Sequence, residues 1–292
     1  MDLRFGRLVM ESTMMFDYCY HTHTARCGHA FGTDEEYVVN AIKNGVKVLG
    51  FTDHAMLPNI HEPGMRGDFS LLEDYISSIN KLKEKYKDQI TIYLGMEAEY
   101  SPCFKSYYQS LLKEGKMDYL IDGQHSFSED GRHMISFYNR YWKEHPDEFL
   151  KTYESLIIEA IESGLYLYIA HPDIYLEWYG KWDEKSELVA KHIIETANKH
   201  EMPLEINMGR SRLGGYYPGK DLSYMKYPDK HFWALASKMN VKALFGVDAH
   251  APWDFDEGKT PFDYYRNFQK QCGVTMLDGM AFQSKLKKKL TK

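Results

Sequence analysis

Cysteine is scarce: four residues in a chain of 292, and none forms a CxxC pair. Cys19, Cys27, Cys103 and Cys272 therefore read as reduced thiols, the state expected of a cytoplasmic protein, rather than as a disulfide framework. No apolar run approaches the roughly 20 residues that a membrane helix needs, so a helical membrane protein is excluded. The opening residues, Met1 to Arg7, lack the apolar core of a signal peptide. Met10, Met14 and Met15 all precede the first strand-like run, so residues 1–14 are expected to be an extension without a role, and residues 15–292 one domain. Basic charge is sparse too. The formal net charge is -6, and the only basic run is Lys285-Leu286-Lys287-Lys288-Lys289, which reads as a solvated helix end. That balance argues against sequence-independent nucleic-acid binding, which relies on a basic footprint. No Pro/Gly/Ser-rich linker divides the chain, which is long enough to bury a large core without staples.

What the chain does have is histidine with a repeated address. Successive apolar runs end in Tyr20-His21-Thr22-His23, Thr52-Asp53-His54, Gly95-Met96-Glu97, Gly123-Gln124-His125, Ala170-His171-Pro172 and Val247-Asp248-Ala249-His250, with His29 close behind the first. Between them lie helical stretches. Thr33-Asp34-Glu35-Glu36 is a capping box opening a helix to about Asn44, and Ser70 is expected to cap the next. Further helices are expected over 104–113, 147–163, 184–200, 229–239 and 262–271. Strands are expected over 16–21, 46–52, 90–97, 119–124, 165–170, 203–207 and 243–247. About seven alternating units imply a parallel sheet. An open doubly wound sheet would place ligands at one or two switch points. Six of about seven strands ending in candidate ligands favour instead a closed, TIM-like α/β barrel, whose strand C-termini share one mouth.

His21 and His23, two apart on a strand, share a face, and Asp248 and His250 repeat that geometry on the last strand. His54 is the expected ligand of the Asp53-His54 pair, since a carboxylate beside a ligating imidazole often orients it. Glu97 ends an apolar run where an unpaired carboxylate would be costly, and a bridge between two cations would satisfy both its oxygens. Glu99 points the same way but lies further out. For His125 or His171 alone, a hydrogen-bonded core histidine is the simpler reading; as members of the set they read as ligands. Nitrogen with carboxylate donors suits Zn, Mn or Fe better than Ca or Mg. Nine donors exceed one tetrahedral site, so two to three divalent ions are expected. His133, His145, His192, His200 and His231 lie in polar or helical stretches and read as surface groups.

Close metal ions favour hydrolysis at phosphoryl or carbonyl groups. A phosphate also wants guanidinium. Candidates are Arg210 and Arg212, just beyond Asn207, and Arg66 in the loop after the second strand. His61 in that same loop is within reach of a substrate.

His21-Thr22-His23-Thr24, Cys27-Gly28-His29, Gly50-Phe51-Thr52-Asp53-His54, Gly95-Met96-Glu97, Gln124-His125, Ala170-His171-Pro172 and Asp248-Ala249-His250 together resemble the polymerase and histidinol phosphatase (PHP) family over about residues 15–255. The resemblance implies a distorted (β/α)7 barrel with a trinuclear site held by His21, His23, His29, His54, Glu97, His125, His171, Asp248 and His250. Leu204-Glu205-Ile206-Asn207 followed by arginine, with Tyr217-Pro218, resembles the stand-alone phosphatases of that family. Here, however, the run is Asn207-Met208-Gly209-Arg210-Ser211-Arg212, so Arg212 aligns best and Arg210 is the substitute. The activity this resemblance implies is that of a phosphomonoesterase acting on L-histidinol phosphate in histidine biosynthesis. Glu97, Asp248 and His250 would stand at the reacting centre, and Arg212, Arg210, Arg66, Asn207 and His61 would meet the substrate. A phosphodiesterase, an amidohydrolase and a non-catalytic metal-binding protein are the rivals. The expected partner is a small phosphorylated molecule, with no nucleic acid or membrane, and an acidic surface compatible with a monomer or a homodimer.

Overall fold

In a computed structural model describing residues 16–213 and 215–279, the first four strands form one parallel sheet in chain order. They are β1 (Tyr18–Cys19), β2 (Val48–His54), β3 (Thr91–Glu97) and β4 (Tyr119–Ile121). All seven residues of β2 are buried, as expected of a parallel strand covered on both faces. Its register sets His54 directly beside Glu97.

The next stave differs from its expected form. Over 165–170 the chain makes no ladder; Ile169 alone bridges Asp122 on one side and Leu204 on the other. Backbone bonds still tie it into place, from Leu167 N to Leu120 O at 2.8 Å and from Glu205 N to Ile169 O at 3.0 Å. A short antiparallel hairpin, β5 (Ser126–Phe127) with β6 (Ile135–Ser136), comes after β4 and adds to the expected elements. Then come β7 (Leu204–Asn207) and β8 (Lys242–Gly246), parallel to each other. The ring closes where Thr22 bridges Ala249, with His23 N bonded to Ala249 O at 2.8 Å. An additional strand, β9 (Thr275–Met276), lies against the start of β8. The result is the expected closed seven-stave barrel, with the 165–170 stave reduced to single-residue pairing.

Helices α1 (Asp34–Lys43), α2 (Leu72–Lys85), α3 (Lys105–Lys113), α4 (Tyr141–Glu144), α5 (Pro146–Ser163), α6 (Tyr175–Tyr179), α7 (Glu184–Lys199), α8 (Gly209–Leu213), α9 (Lys230–Lys238) and α10 (Phe262–Cys272) complete the order. The Thr33/Glu36 capping box is present at α1. Ser70 does not cap α2: it sits inside a 3-10 turn, Phe69–Leu71, that leads into the helix without a side-chain cap. Aliphatic and aromatic side chains pack together in the larger core, whereas the smaller cluster in the barrel interior is dominated by Tyr18, Tyr20, Tyr93, Tyr119 and Tyr168. No described helix is long and apolar enough to cross a membrane. Residues 1–14 and the basic run 285–289 lie outside the described residues.

Candidate metal centre

The mouth gathers nine side chains from six of the seven staves and the loop after β1. His21 and His23 extend from β1, and His54 and Glu97 end β2 and β3. His125 comes just after β4, His171 just after the 165–170 stave, and Asp248 and His250 just after β8. His29 is delivered by a 3-10 turn, Ala25–Cys27, whose first turn is capped by the Thr24 hydroxyl. Asp248 and His171 hold positive φ angles of 52° and 31°. Non-glycine residues adopt such backbone at a cost, and they concentrate at functional sites.

Glu97 is the hub. Its Oε1 faces Nε2 of His171 at 2.8 Å, His125 at 3.3 Å and His21 at 3.5 Å. Its Oε2 faces His54 Nδ1 at 3.1 Å and His23 Nε2 at 3.3 Å. Each oxygen thus serves its own set of imidazoles, the layout expected of a carboxylate shared between two cations. Asp248 Oδ1 lies 3.2 Å from His23 Nε2, and His29 Nε2 lies 2.9 Å from His250 Nε2. Three overlapping trios result, each with donor atoms within 4.8 Å of one another: His21/His23/Asp248, His54/Glu97/His125 and His23/His54/His250.

The donors fit divalent ions. Glu97 Oε2, Asp248 Oδ1 and His54 Nδ1, which face into the cluster, are buried without a hydrogen-bond partner. Buried polar atoms are normally paired, so such a concentration of unpaired lone pairs in one place calls for a cation. Cys27 also lies near His29 and His250. Burial pushes its thiol up to about 12, which keeps it protonated in the metal-free protein.

Electrostatics point the same way. Burial pushes Glu97 upward, but His21, His54 and His125 outweigh it and hold the carboxyl well below its ordinary range. Asp248 is likewise buried and is held low by Arg212 and His21. Burial depresses His54 and His250, leaving neutral imidazoles with free lone pairs. For His21 and His23, burial is overcome by carboxylates: Glu205, Asp248 and Glu97 raise His21, while Asp248 and Asp53 raise His23. These carboxylates favour the protonated form of both rings in metal-free protein, and ligation must displace the protons they hold. Zinc titrated into apo-protein at pH 7 is expected to release protons, and affinity is expected to weaken as pH falls. Calorimetry in buffers of different ionisation enthalpy measures this; uptake, or no proton exchange, would contradict the assignment.

The expected substrate residues divide. Arg212 stands at the cluster's edge: its Nη1 donates to the Asp248 carbonyl, and its Nη2 lies 3.7 Å from Asp248 Oδ2. Arg210 leans away, paired through Nη2 with Glu177 Oε1 at 2.6 Å. Arg66 is not brought to the mouth's open side. It is buried, with bonds to Glu99 at 2.8 and 3.0 Å, to Glu62 at 2.7 Å and to the Ala55 carbonyl. Its guanidinium is consumed by the carboxylate two residues beyond Glu97. Asn207 is buried as well; its amide donates to Glu205 at 2.8 Å and accepts from Gly209 N at 2.7 Å, so both ends of the amide are turned toward the protein. His61 is exposed and pairs with Asp68. His133, His192 and His231 pair with acidic neighbours Asp130, Glu154 and Asp229. Asp53 stands 3.6 Å from His23 Nδ1 and accepts from the Thr24 hydroxyl, so it backs His23 rather than its neighbour His54.

Two features of the mouth carry no mark in the sequence. Tyr138, just past β6, is largely exposed, with its ring stacked 6.3 Å from His125 and edge-on to Trp178 at 5.0 Å. Glu177 on α6 stands beside that wall, held by Arg210. Neither lies on a periodic run that would single it out.

Comparison with known proteins agrees with this geometry. A probable histidinol-phosphatase from Deinococcus radiodurans is 27% identical over 234 residues, covering 80% of this chain and 85% of that one. A histidinol-phosphatase from Lactococcus lactis subsp. lactis is 29% identical over 204 residues, covering 65% and 70%. The crystal structure of histidinol phosphate phosphatase from Lactococcus lactis subsp. lactis, complexed with zinc, L-histidinol and phosphate, superposes with a TM-score of 0.64 at 21% identity, over 89% of this chain and 95% of that one. The PHP domain model matches residues 20–209. With most of its length in that match and a histidine-rich centre at the mouth of a seven-stave barrel, the chain belongs to the PHP domain family.

Proposed function

We propose that the chain is a metal-dependent phosphomonoesterase that hydrolyses L-histidinol phosphate to L-histidinol and phosphate. The observation that carries this reading is the two-sided pairing of Glu97 within a set of imidazoles, with Arg212 at its edge. The names of the curated relatives support the choice of substrate.

His21, His23, Glu97 and Asp248 would hold one part of a centre of two to three Zn, Mn or Fe ions, and His54, His125, His171, His250 and His29 the rest. Such ions, when bound, lower the pKa of water and neutralise phosphoryl charge. The protein's own contribution is placement. Asp248 and His250 leave the barrel on the strand that closes against β1, so their positions relative to His21 and His23 are fixed by backbone bonds. Arg212 would supply the guanidinium that pairs with phosphate oxygens. The Tyr138 ring and Glu177 would flank the alcohol, a planar imidazole carrying an ammonium group.

The test is inorganic phosphate release from L-histidinol phosphate by protein loaded in turn with Zn, Mn and Fe, against a chelated control. Chelator-sensitive release is expected. Arg212→Met should then lower kcat/KM on the order of 10²-fold, the usual loss on removing one donor to a developing anion. No release with any metal, alongside turnover of a phosphodiester or another monoester, would discard the substrate and keep the centre.

A further inference from the structure

Beneath the metal centre lies a second carboxylate that the proposed hydrolysis does not use. Glu205, on β7, is fully buried inside the barrel. Its two oxygens lie 2.9 and 3.2 Å from His21 Nδ1. Oε2 also accepts from Asn207 Nδ2 at 2.8 Å and from His171 N at 3.2 Å, and Oε1 accepts from the Tyr168 hydroxyl at 3.4 Å. Among the described residues, His21 is its sole ion-pair partner; no lysine or arginine reaches it. The fold reserves room for it. A Cβ on Gly246, across the β7–β8 ladder, would lie 1.7 Å from Glu205 Oε1.

We propose that Glu205 is a positioning residue for the metal centre: it fixes His21 with the proton on Nδ1, so that Nε2 presents its lone pair to the ion shared with His23 and Asp248. An ionised carboxylate can only accept, so the ring nitrogen facing it must donate. The other nitrogen, Nε2, points into the cluster, 3.2 Å from His23 Nε2 and 3.6 Å from Asp248 Oδ1. A carboxylate behind a ligating imidazole fixes its tautomer and orientation and increases its basicity; losing such a partner typically costs 10–100-fold in metal affinity or activity. The bond from His171 N extends the same support to a second ligand, through its backbone rather than its ring. Asn207, in turn, anchors Glu205 from the same strand face.

This inference rests on the reading of His21, His23 and Asp248 as a metal-holding trio, and the experiment separates the two. Wild type and Glu205→Gln, both full length, are stripped, reloaded with zinc and titrated against a chelator, with bound zinc counted by elemental analysis. The glutamine keeps the shape and an acceptor oxygen but removes the charge. One equivalent of zinc is expected to bind about 10–100-fold more weakly in the variant, with the remaining equivalents unchanged and the circular dichroism of wild type retained. Equal affinity in the two proteins would overturn the proposal. Failure of wild type to bind zinc at all would instead overturn the metal centre itself. Should the variant not fold, nitrogen-15 spectra of zinc-loaded wild type decide alone: a proton on His21 Nδ1 with zinc on Nε2 is expected, and the opposite tautomer would overturn it.

Discussion

Glu97→Gln is expected to lower phosphate release on the order of 10³-fold or more while leaving the barrel folded. Several kcal/mol of transition-state charge stabilisation depend on a properly held metal centre, and each 1.36 kcal/mol is about a factor of ten in rate. No other side chain in the cluster touches so many partners: five imidazoles approach Glu97 within 3.5 Å, three on one oxygen and two on the other. The amide that replaces it matches its volume, so packing is preserved. It can offer a single acceptor oxygen, however, and its NH₂ end cannot ligate a cation. The variant should therefore retain fewer metal equivalents than wild type, which elemental analysis reads independently of turnover. The backbone opposite enforces the same position, because a Cβ on Gly123 would fall 1.9 Å from Glu97 Oε1. Gly123→Ala, which leaves every donor in place, should displace the carboxylate and reproduce the loss. Wild-type turnover in a folded Glu97→Gln protein would sink the assignment of this centre as the site of hydrolysis.

The centre was legible because barrel geometry converts a one-dimensional rule into a three-dimensional place: donors at strand ends must meet if the strands are parallel and the sheet closes. The register then comes from chain chemistry, as with His54 beside Glu97. Less legible was anything decided by a partner distant in sequence. Arg66 displays a guanidinium in a mouth loop, and nothing nearby in sequence tells that Glu99 and Glu62 will take it. Asn207 sits next to two arginines yet turns inward, because its neighbour on the same face is Glu205. Here a signal did exist: Glu205 and Asn207 are two apart on a strand, so a carboxylate facing the barrel interior was implied wherever Asn207 faced it. The 165–170 run has the composition of a strand, but pairing depends on how its neighbours lie, and they meet it at Ile169 alone. The two-residue strands of the β5–β6 hairpin and β9 are too short for any period to show.

Arg66 separates stability from catalysis, and Arg66→Met is expected to show it. The guanidinium and the Glu99 carboxylate are both fully buried and meet through two bonds, with Glu62 on Nε and the Ala55 carbonyl on Nη1. Burial alone would favour a neutral guanidine, yet Glu99 and Glu62 hold the group firmly charged, with its pKa raised further above the ordinary arginine value. Removing one member leaves the Glu99 carboxyl buried without its cation, with Ser126 at 3.3 Å as a weak remaining partner. Breaking a buried pair in this way typically costs about 3–5 kcal/mol. For a domain of this size that is a fall in Tm on the order of 10 °C. Because the lost charge is Arg66's and not a phosphate ligand's, KM for the phosphorylated substrate should stay within about twofold at temperatures where the variant is folded, since surplus binding energy is lost only where a contact to substrate is lost. The double variant Arg66→Met/Glu99→Leu should recover much of the stability, as hydrophobic replacements of buried ion pairs often do. Calorimetric unfolding and steady-state kinetics on the same three proteins decide the matter. A large rise in KM with an unchanged Tm would return Arg66 to the substrate, and would mean that the bonds to Glu99 give way when phosphate binds.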